Sequence, residues 1–109
     1  MEIAEERIGD VLVLRPAGRL DGNSAGSFER ALLAQIDSRP ARLVLDLAEL
    51  EYVSSAGLRA ILLAVKRGKS VNCPLLACCL PEHIREVFDL SGFGNVLPIH
   101  ASREEALGT

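Results

Sequence analysis

Apolar and polar residues alternate in blocks along the chain, and each block predicts one element of secondary structure. A turn signal at residues 9–10 separates two short apolar stretches, which indicates an opening hairpin. Residues 43–47 and 74–80 are nearly continuous apolar runs, as expected of strands covered on both faces, and the first should lie centrally in the sheet. A last strand is predicted over residues 96–99, at an edge, because Pro98 has no amide hydrogen to donate.

Four other segments show the three-to-four-residue spacing of amphipathic helices. The first runs from residue 25 to about residue 38, the second follows Ser54 and Ser55, and the third opens at Pro81. A capping box at Ser102 starts a short terminal helix. The core-facing positions of the second helix are expected to be Leu58, Ile61, Leu62 and Val65. The order β-β-α-β-α-β-α-β-α predicts an α/β fold with a mixed sheet of about five strands and about four helices packed against it.

Composition narrows the classes of function. The 109 residues suit a single domain, residues 1–109, with one core. With 12 Lys and Arg against 15 Asp and Glu, the net charge of -3 disfavours nucleic acid as a partner, because phosphate binding needs clustered cations. No apolar run approaches the ~20 residues of a membrane span, and the first residues are acidic where a signal peptide is basic. We therefore expect a cytoplasmic protein that does not associate with membranes.

Cysteines and histidines suggest neither a metal site nor catalysis. Cys73, Cys78 and Cys79 form no C-x-x-C unit and are expected to be buried, reduced thiols. His83 and His100 have no ligand partner at metal-binding spacing, so no metal and no cofactor are predicted. A serine hydrolase is disfavoured, because the Ser-Ser-Ala-Gly of residues 54–57 is not a nucleophile elbow and neither histidine has a recognisable acid partner. The chain is expected not to be an enzyme.

Ser54 and Ser55 lie where a strand gives way to the second helix. A hydroxyl at this position can cap exposed backbone N–H groups of the helix. A phosphate added there would meet the same donors and the positive end of the helix dipole. The spacing alone leaves two interpretations open, a simple helix cap and a phosphorylation switch.

Three motifs resemble those of STAS domains, the family of bacterial anti-sigma factor antagonists and of transporter tails. They are Gly-Arg-Leu-Asp at residues 18–21, Leu-Glu-Tyr-Val-Ser-Ser-Ala-Gly-Leu-Arg at residues 50–59 and Phe-Asp-Leu-Ser-Gly-Phe at residues 88–93. The motifs occur in the family's order and at its spacing, and the resemblance covers nearly the whole chain. It implies the STAS fold.

The resemblance also implies the site residues. The phosphoacceptor serine of anti-sigma factor antagonists stands two residues before a glycine, and this position corresponds to Ser55 before Gly57. Ser54 is the second choice, because it occupies a position where many members carry aspartate. Asp21 and Asp46 are then the acidic residues expected around the phosphorylation site.

The function implied by the resemblance is partner switching in transcription regulation. An unphosphorylated antagonist sequesters a serine kinase anti-sigma factor and thereby frees the sigma factor. Phosphorylation of Ser55 by that kinase would release the complex, and a metal-dependent serine phosphatase would reset the switch. The alternative is a STAS subunit of a lipid or anion transport complex that docks on an ATPase or permease; the Ser-Ser-Ala-Gly pattern favours the regulatory branch. A monomer or weak dimer is expected.

A helical wheel predicts a docking surface on the second helix. With the large apolar residues inward, the outward arc holds Ala56, Arg59, Ala60, Leu63 and Arg67. Arginine is enriched and lysine depleted at interfaces, and the arc begins beside Ser55. The alternative is an ordinary solvated face with one exposed leucine, which is common.

Overall fold

Six strands and four helices make up residues 1–108, the part of the chain that the computed structural model describes. The strands are β1 (Glu2–Ile8), β2 (Val11–Leu20), β3 (Arg42–Asp46), β4 (Leu50–Val53), β5 (Leu75–Cys78) and β6 (Ile99–His100). The helices are α1 (Ala25–Asp37), α2 (Ser55–Ser70), α3 (Glu82–Leu90) and α4 (Arg103–Gly108), and a 3-10 turn covers Phe93–Asn95.

The strands form one mixed sheet in the order β1-β2-β3-β5-β6, with β4 paired to β2 outside this path. Only β1 runs antiparallel to its neighbour; the β2–β3, β3–β5, β5–β6 and β2–β4 pairs are parallel. The strand predicted as central is central, since β3 lies between β2 and β5. The predicted α/β fold with a mixed sheet and four helices is therefore confirmed.

Proline and glycine usually end a strand, yet β2 continues through Pro16 and Gly18 to Leu20. Gly18 has a φ of 102° and sits at a shift of register in the pairing with β4. Glycine adopts this left-handed backbone without a steric penalty, so the strand can bend there. The first half of β2 pairs with β3 and the second half with β4, a sixth short strand beyond the five expected.

Side chains of the central strands alternate between two apolar layers. Leu12 and Leu14 face the main core, which also contains Phe28 of α1, Ile61 of α2 and Phe88 of α3. The intervening strand positions, such as Val13, face a smaller cluster that includes Ala106 of α4. Both faces are covered because α1, α2 and α3 pack on one side of the sheet and α4 packs on the other.

The C-terminal elements differ in one detail from expectation. The last strand begins after Pro98 rather than spanning residues 96–99, and the Pro98 carbonyl accepts a hydrogen bond from the Ala77 N–H at 2.9 Å. Val96, predicted as the first residue of this strand, instead directly follows the 3-10 turn. The predicted cap of the last helix is present, since the Glu105 N–H donates to Ser102 Oγ at 3.2 Å. In residues 1–108, no helix is both long and apolar enough to cross a membrane.

Candidate functional site

Ser54 is the N-terminal cap of α2. Its backbone is extended, and its Oγ accepts a hydrogen bond from the Gly57 N–H at 3.2 Å. Its own N–H donates to the Leu20 carbonyl at 2.8 Å, which ties the start of the helix to the end of β2. The Ser54 hydroxyl is therefore engaged in capping, a contact that stabilises such helices by about 1 kcal/mol.

Ser55 is the first residue of α2 and differs from Ser54 in its surroundings. Its side chain is exposed, and its Oγ has no hydrogen-bond partner among residues 1–108. The first N–H groups of a helix point away from its body and carry partial positive charge. The structure thus divides the two serines into a capping hydroxyl and an accessible one.

Gly57 allows α2 to begin in direct contact with β2. A Cβ atom at this position would lie 2.6 Å from Leu20 Cγ and 3.0 Å from the Leu20 carbonyl oxygen. Any side chain would push the helix N-terminus away from the strand and strain the hydrogen bond between Ser54 and Leu20. The glycine of the Ser-Ser-Ala-Gly pattern therefore positions both serines.

Asp21 directly follows the last residue of β2. The carbonyl oxygen of the preceding residue, Leu20, accepts a hydrogen bond from the Ser54 N–H. Asp21 and Ser55 are therefore the residues that follow the two partners of this hydrogen bond. The Asn23 N–H donates to Asp21 Oδ1 at 3.0 Å and holds the pKa of Asp21 below its ordinary value. Arg19 Nε lies 3.7 Å from Asp21 Oδ2. Asp21 therefore carries a full negative charge at neutral pH.

The expectation that Asp46 lies near the serines is wrong. Asp46 is only 5% exposed and binds Arg103 of α4, with Oδ2 3.2 Å from Arg103 Nη2. Its Oδ1 accepts a hydrogen bond from the Ala48 N–H. Alternation along β3 places Asp46 on the same face as Val44, which packs on the α4 side of the sheet, whereas α2 covers the other side.

The buried face of α2 is made largely of small residues. Its buried positions are Gly57, Ala60, Ile61, Ala64, Val65 and Gly68. Ala60, which the helical wheel places outward, is 1% exposed and is unavailable to a partner. Leu58 and Leu62, expected to face the core, are half-buried at its margin. The helix is rotated from the predicted orientation because small side chains permit the closest approach to the sheet.

The outward face of α2 retains the other four predicted docking residues. Ala56 and Arg59 are exposed and Leu63 is half-buried. Arg67 is also exposed, but its Nε and Nη2 donate to Asp37 Oδ1 of α1 at 2.9 and 2.8 Å. Arg67 therefore links the two helices as well as contributing to the surface. The helix carries four basic residues and no acidic one, so this face is positively charged although the chain is acidic.

A shallow depression of ≈ 500 Å³ extends the surface from Ser55 toward the 3-10 turn. It is lined by Ser55, Ala56, Leu58, Arg59, Leu62 and Phe93. Leu58 and Leu62 are predicted for the core because they are apolar, yet they are half-buried and line the depression, whose third apolar side chain, Phe93, is itself buried. Phe93 could have been connected with this site from the sequence, because it ends the motif at residues 88–93. The fold brings that motif beside the motif at residues 50–59.

The two histidines have other environments. His83 Nε2 lies 2.8 Å from the Glu51 carbonyl oxygen at the edge of β4, and His100 lies on β6. In residues 1–108, neither imidazole is hydrogen-bonded to Ser54 or Ser55.

Comparison with known proteins agrees with this architecture. The family model described as STAS domain matches residues 2–106. The chain belongs to the STAS domain family. Within it, the chain is 41% identical over 106 residues to BtrV of Bordetella bronchiseptica, described as an anti-sigma factor antagonist, with 97% of this chain and 91% of BtrV covered.

Solved structures share the fold. The crystal structure of TM1081 from Thermotoga maritima, described as an anti-sigma factor antagonist, superposes with a TM-score of 0.91 at 20% identity and covers 97% of this chain and 92% of TM1081. SpoIIAA of Bacillus has been solved in unphosphorylated and phosphorylated forms. The TM-scores are 0.81 and 0.74, each at 20% identity, with 97% and 98% of this chain and 93% and 97% of SpoIIAA covered. These structures share the fold, and the 41% identity to BtrV shows that the chain belongs to the anti-sigma factor antagonist family.

Proposed function

We propose that this protein is a phosphorylation-controlled antagonist that binds a serine kinase anti-sigma factor while Ser55 is unmodified and releases it when Ser55 is phosphorylated. The observation that carries the proposal is the division between the two serines: Ser54 caps the helix, whereas Ser55 is exposed. Support comes from the 41% identity to BtrV and from the existence of a phosphorylated form of SpoIIAA. A metal-dependent serine phosphatase would restore the unmodified form, and a kinase partner that uses ATP places the cycle in the cytoplasm.

The site can accept a phosphate without unfolding. The added group would lie at the N-terminus of a 16-residue helix, where free N–H groups and the helix dipole favour negative charge. Ser54 would continue to cap Gly57, because its contact does not involve the Ser55 hydroxyl. The phosphorylated and unphosphorylated proteins should therefore share one fold and differ in surface charge.

The same phosphate would change the surface that a partner meets. It adds about -1.5 to -2 charges at Ser55, while Asp21, the residue after the Leu20 that binds the Ser54 N–H, is already ionised. Arg59 lies four residues along the same exposed helix face, within reach of an i,i+4 ion pair with the phosphate. An arginine held by the phosphate is no longer free to bind a carboxylate of the partner. The switch is thus a local reversal of charge at one end of the α2 face.

The chemistry of the α2 face indicates the kind of surface that the partner presents. Arg59 and Lys66 project from its exposed side, with the half-buried Leu63 beside them. Such a surface fits an acidic patch with an apolar pocket, since charge complementarity guides association and a buried apolar anchor contributes most of the binding energy. The proposed anti-sigma factor should therefore contact α2 and the depression beside Ser55.

Replacing Leu63 with aspartate is expected to weaken binding to the anti-sigma factor by about 30-fold or more, since a charge would enter the apolar contact. Leu63 is half-buried and lies outside the two core clusters, so the thermal midpoint should hardly change. Isothermal titration calorimetry with the anti-sigma factor and thermal denaturation measure the two effects. Leu90→Asp is the control, because Leu90 is 90% exposed on α3. Equal affinities of the two variants would contradict the proposed surface.

A further inference from the structure

Residues with metal-binding side chains form a row on the face of the sheet that α4 covers. Asp46 of β3 is in register with Cys78 of β5, and Cys78 is in register with His100 of β6. Residues directly opposite each other in neighbouring strands project to the same face of a sheet. Cys79 follows Cys78 at the end of β5. The topology thus gathers four potential ligands that are dispersed along the sequence.

The two sulfur atoms and the carboxylate are already close. Cys78 Sγ lies 3.3 Å from Cys79 Sγ, and both lie within 4.8 Å of a carboxylate oxygen of Asp46. Consecutive residues of an extended strand point to opposite faces, but Cys79 has a left-handed backbone with a φ of 64° that ends the strand. This backbone brings its thiol to the side of Cys78. Cys78 is buried, whereas Cys79 is half-buried rather than buried as expected, and so connects the cluster to solvent.

The charge of the cluster suits a divalent cation. At present the Asp46 carboxylate is balanced by Arg103, whose Nε and Nη2 donate to Oδ2 at 3.3 and 3.2 Å. A cation M²⁺ bound by both sulfurs would replace two thiol protons, which leave to solvent, so the net charge of the buried cluster would not change. Because Cys78 is buried, its free thiolate is disfavoured, so the thiol protons leave only as the cation binds. Arg103 would remain as the outer hydrogen-bond donor that orients the carboxylate.

His100 supplies a second, independent indication. Its Nε2 is shielded from solvent and has no hydrogen-bond partner within residues 1–108. A shielded ring nitrogen without a partner is unusual and calls for an explanation, such as a ligand. His100 shares a register and a face with Cys78, but its ring nitrogens lie outside the group of Asp46, Cys78 and Cys79 ligand atoms that are within 4.8 Å of one another, so its side chain must turn to reach a shared ion.

We propose that Asp46, Cys78 and Cys79 bind a thiophilic divalent cation of the zinc class, with His100 as the fourth ligand. Zinc binds thiolate sulfur at about 2.3 Å, so two sulfurs on one tetrahedral ion are about 3.8 Å apart, and the 3.3 Å pair would open by about 0.5 Å on binding. Two sulfurs, one oxygen and one nitrogen complete a tetrahedral set of donors. The site lies on the opposite face of the sheet from α2, so it does not depend on the switch at Ser55.

The test is titration of the reduced protein with Cd²⁺ alone, followed by displacement with Zn²⁺. The expected result is one equivalent of bound Cd²⁺ with the ultraviolet charge-transfer band of cadmium thiolates. Cys79→Ser should weaken Cd²⁺ binding by about 100-fold or more, since it removes a direct ligand. Cys73→Ser is the matched control with unchanged affinity, because Cys73 is buried in the other core cluster. Circular dichroism confirms that each variant is folded.

Two results would overturn the proposal. One is the absence of the thiolate band from the reduced wild-type protein, and the other is equal Cd²⁺ affinity of Cys79→Ser and Cys73→Ser. His100→Ala tests the fourth ligand separately and should weaken Cd²⁺ binding by about tenfold or more. Full affinity of His100→Ala would contradict the four-ligand geometry.

Discussion

Alanine at Gly68 is expected to lower the free energy of unfolding by about 3 kcal/mol, at the upper end of typical overpacking effects. Its Cβ would overlap the Cys73 carbonyl oxygen and lie 2.7 Å from Leu75 Cδ1. Backbone atoms cannot move aside as a flexible side chain can, so α2 would have to separate from the loop that leads into β5. Urea denaturation followed by circular dichroism measures the change.

Gly26→Ala is the matched control within a helix. Gly26 is exposed near the start of α1, and the nearest atom to its added Cβ would be Arg30 Nη1 at 3.5 Å, an ordinary contact. Alanine is the better helix former, so this variant should gain up to about 1 kcal/mol of stability. If Gly68→Ala were as stable as Gly26→Ala, the close packing of α2 on the start of β5 would be wrong.

Glutamate at Ser55 is expected to reduce affinity for the anti-sigma factor at least tenfold. A unit charge about 6 Å from a partner carboxylate costs about 3 kcal/mol at an effective dielectric constant of about 20. Salt and solvent reduce this value at an exposed site, but even about 1.4 kcal/mol is a tenfold loss. Calorimetric titration at low and high salt measures the loss, which should be smaller at high salt.

Ser55→Gln separates charge from size. Glutamine matches glutamate in volume but is neutral, so its affinity should stay close to that of the wild-type protein. Ser54→Ala should instead cost about 1 kcal/mol of stability through the lost cap and retain partner binding. Equal losses for Ser55→Glu and Ser55→Gln would mean that bulk, not charge, ejects the partner.

The main elements could be predicted from the sequence because their patterns are local. Strand β3 is an apolar run buried on both faces, and helix α2 has a periodic apolar face and a serine cap. Strand β4 was missed because it has four residues and depends on the bend at Gly18, a tertiary feature. Its pairing with β2 brings Leu20, the residue before Asp21, to the start of α2 at Ser54.

The surface of α2 was predicted less well, for a physical reason. Hydrophobicity ranks leucine above alanine and glycine, so the wheel places Leu58 and Leu62 inward and Ala60 outward. Where a helix lies against a sheet, however, the central contacts go to residues small enough to permit it, here Ala60 and Gly57. The larger leucines occupy the margin, where Leu62 joins the depression beside Ser55.

Residues brought together across strands leave little trace in the sequence. Asp46 is separated from Cys78 by 32 positions, yet the two are partners in register. Local spacing therefore gave no metal-binding pattern for this cluster. The orientation of Asp46 toward Arg103 likewise depends on where α4 packs, which no local pattern reports.

The most direct test of the switch is mass spectrometry of the protein purified from its own growing cells, with Ser55→Ala and Ser54→Ala variants alongside. The expected result is a single phosphate that maps to Ser55, is lost in Ser55→Ala and persists in Ser54→Ala. A phosphate on Ser54 alone would contradict the assignment of the site. No phosphate under any growth condition, with Ser55→Ala behaving like the wild-type protein, would contradict the switch and favour a constitutively docked STAS subunit.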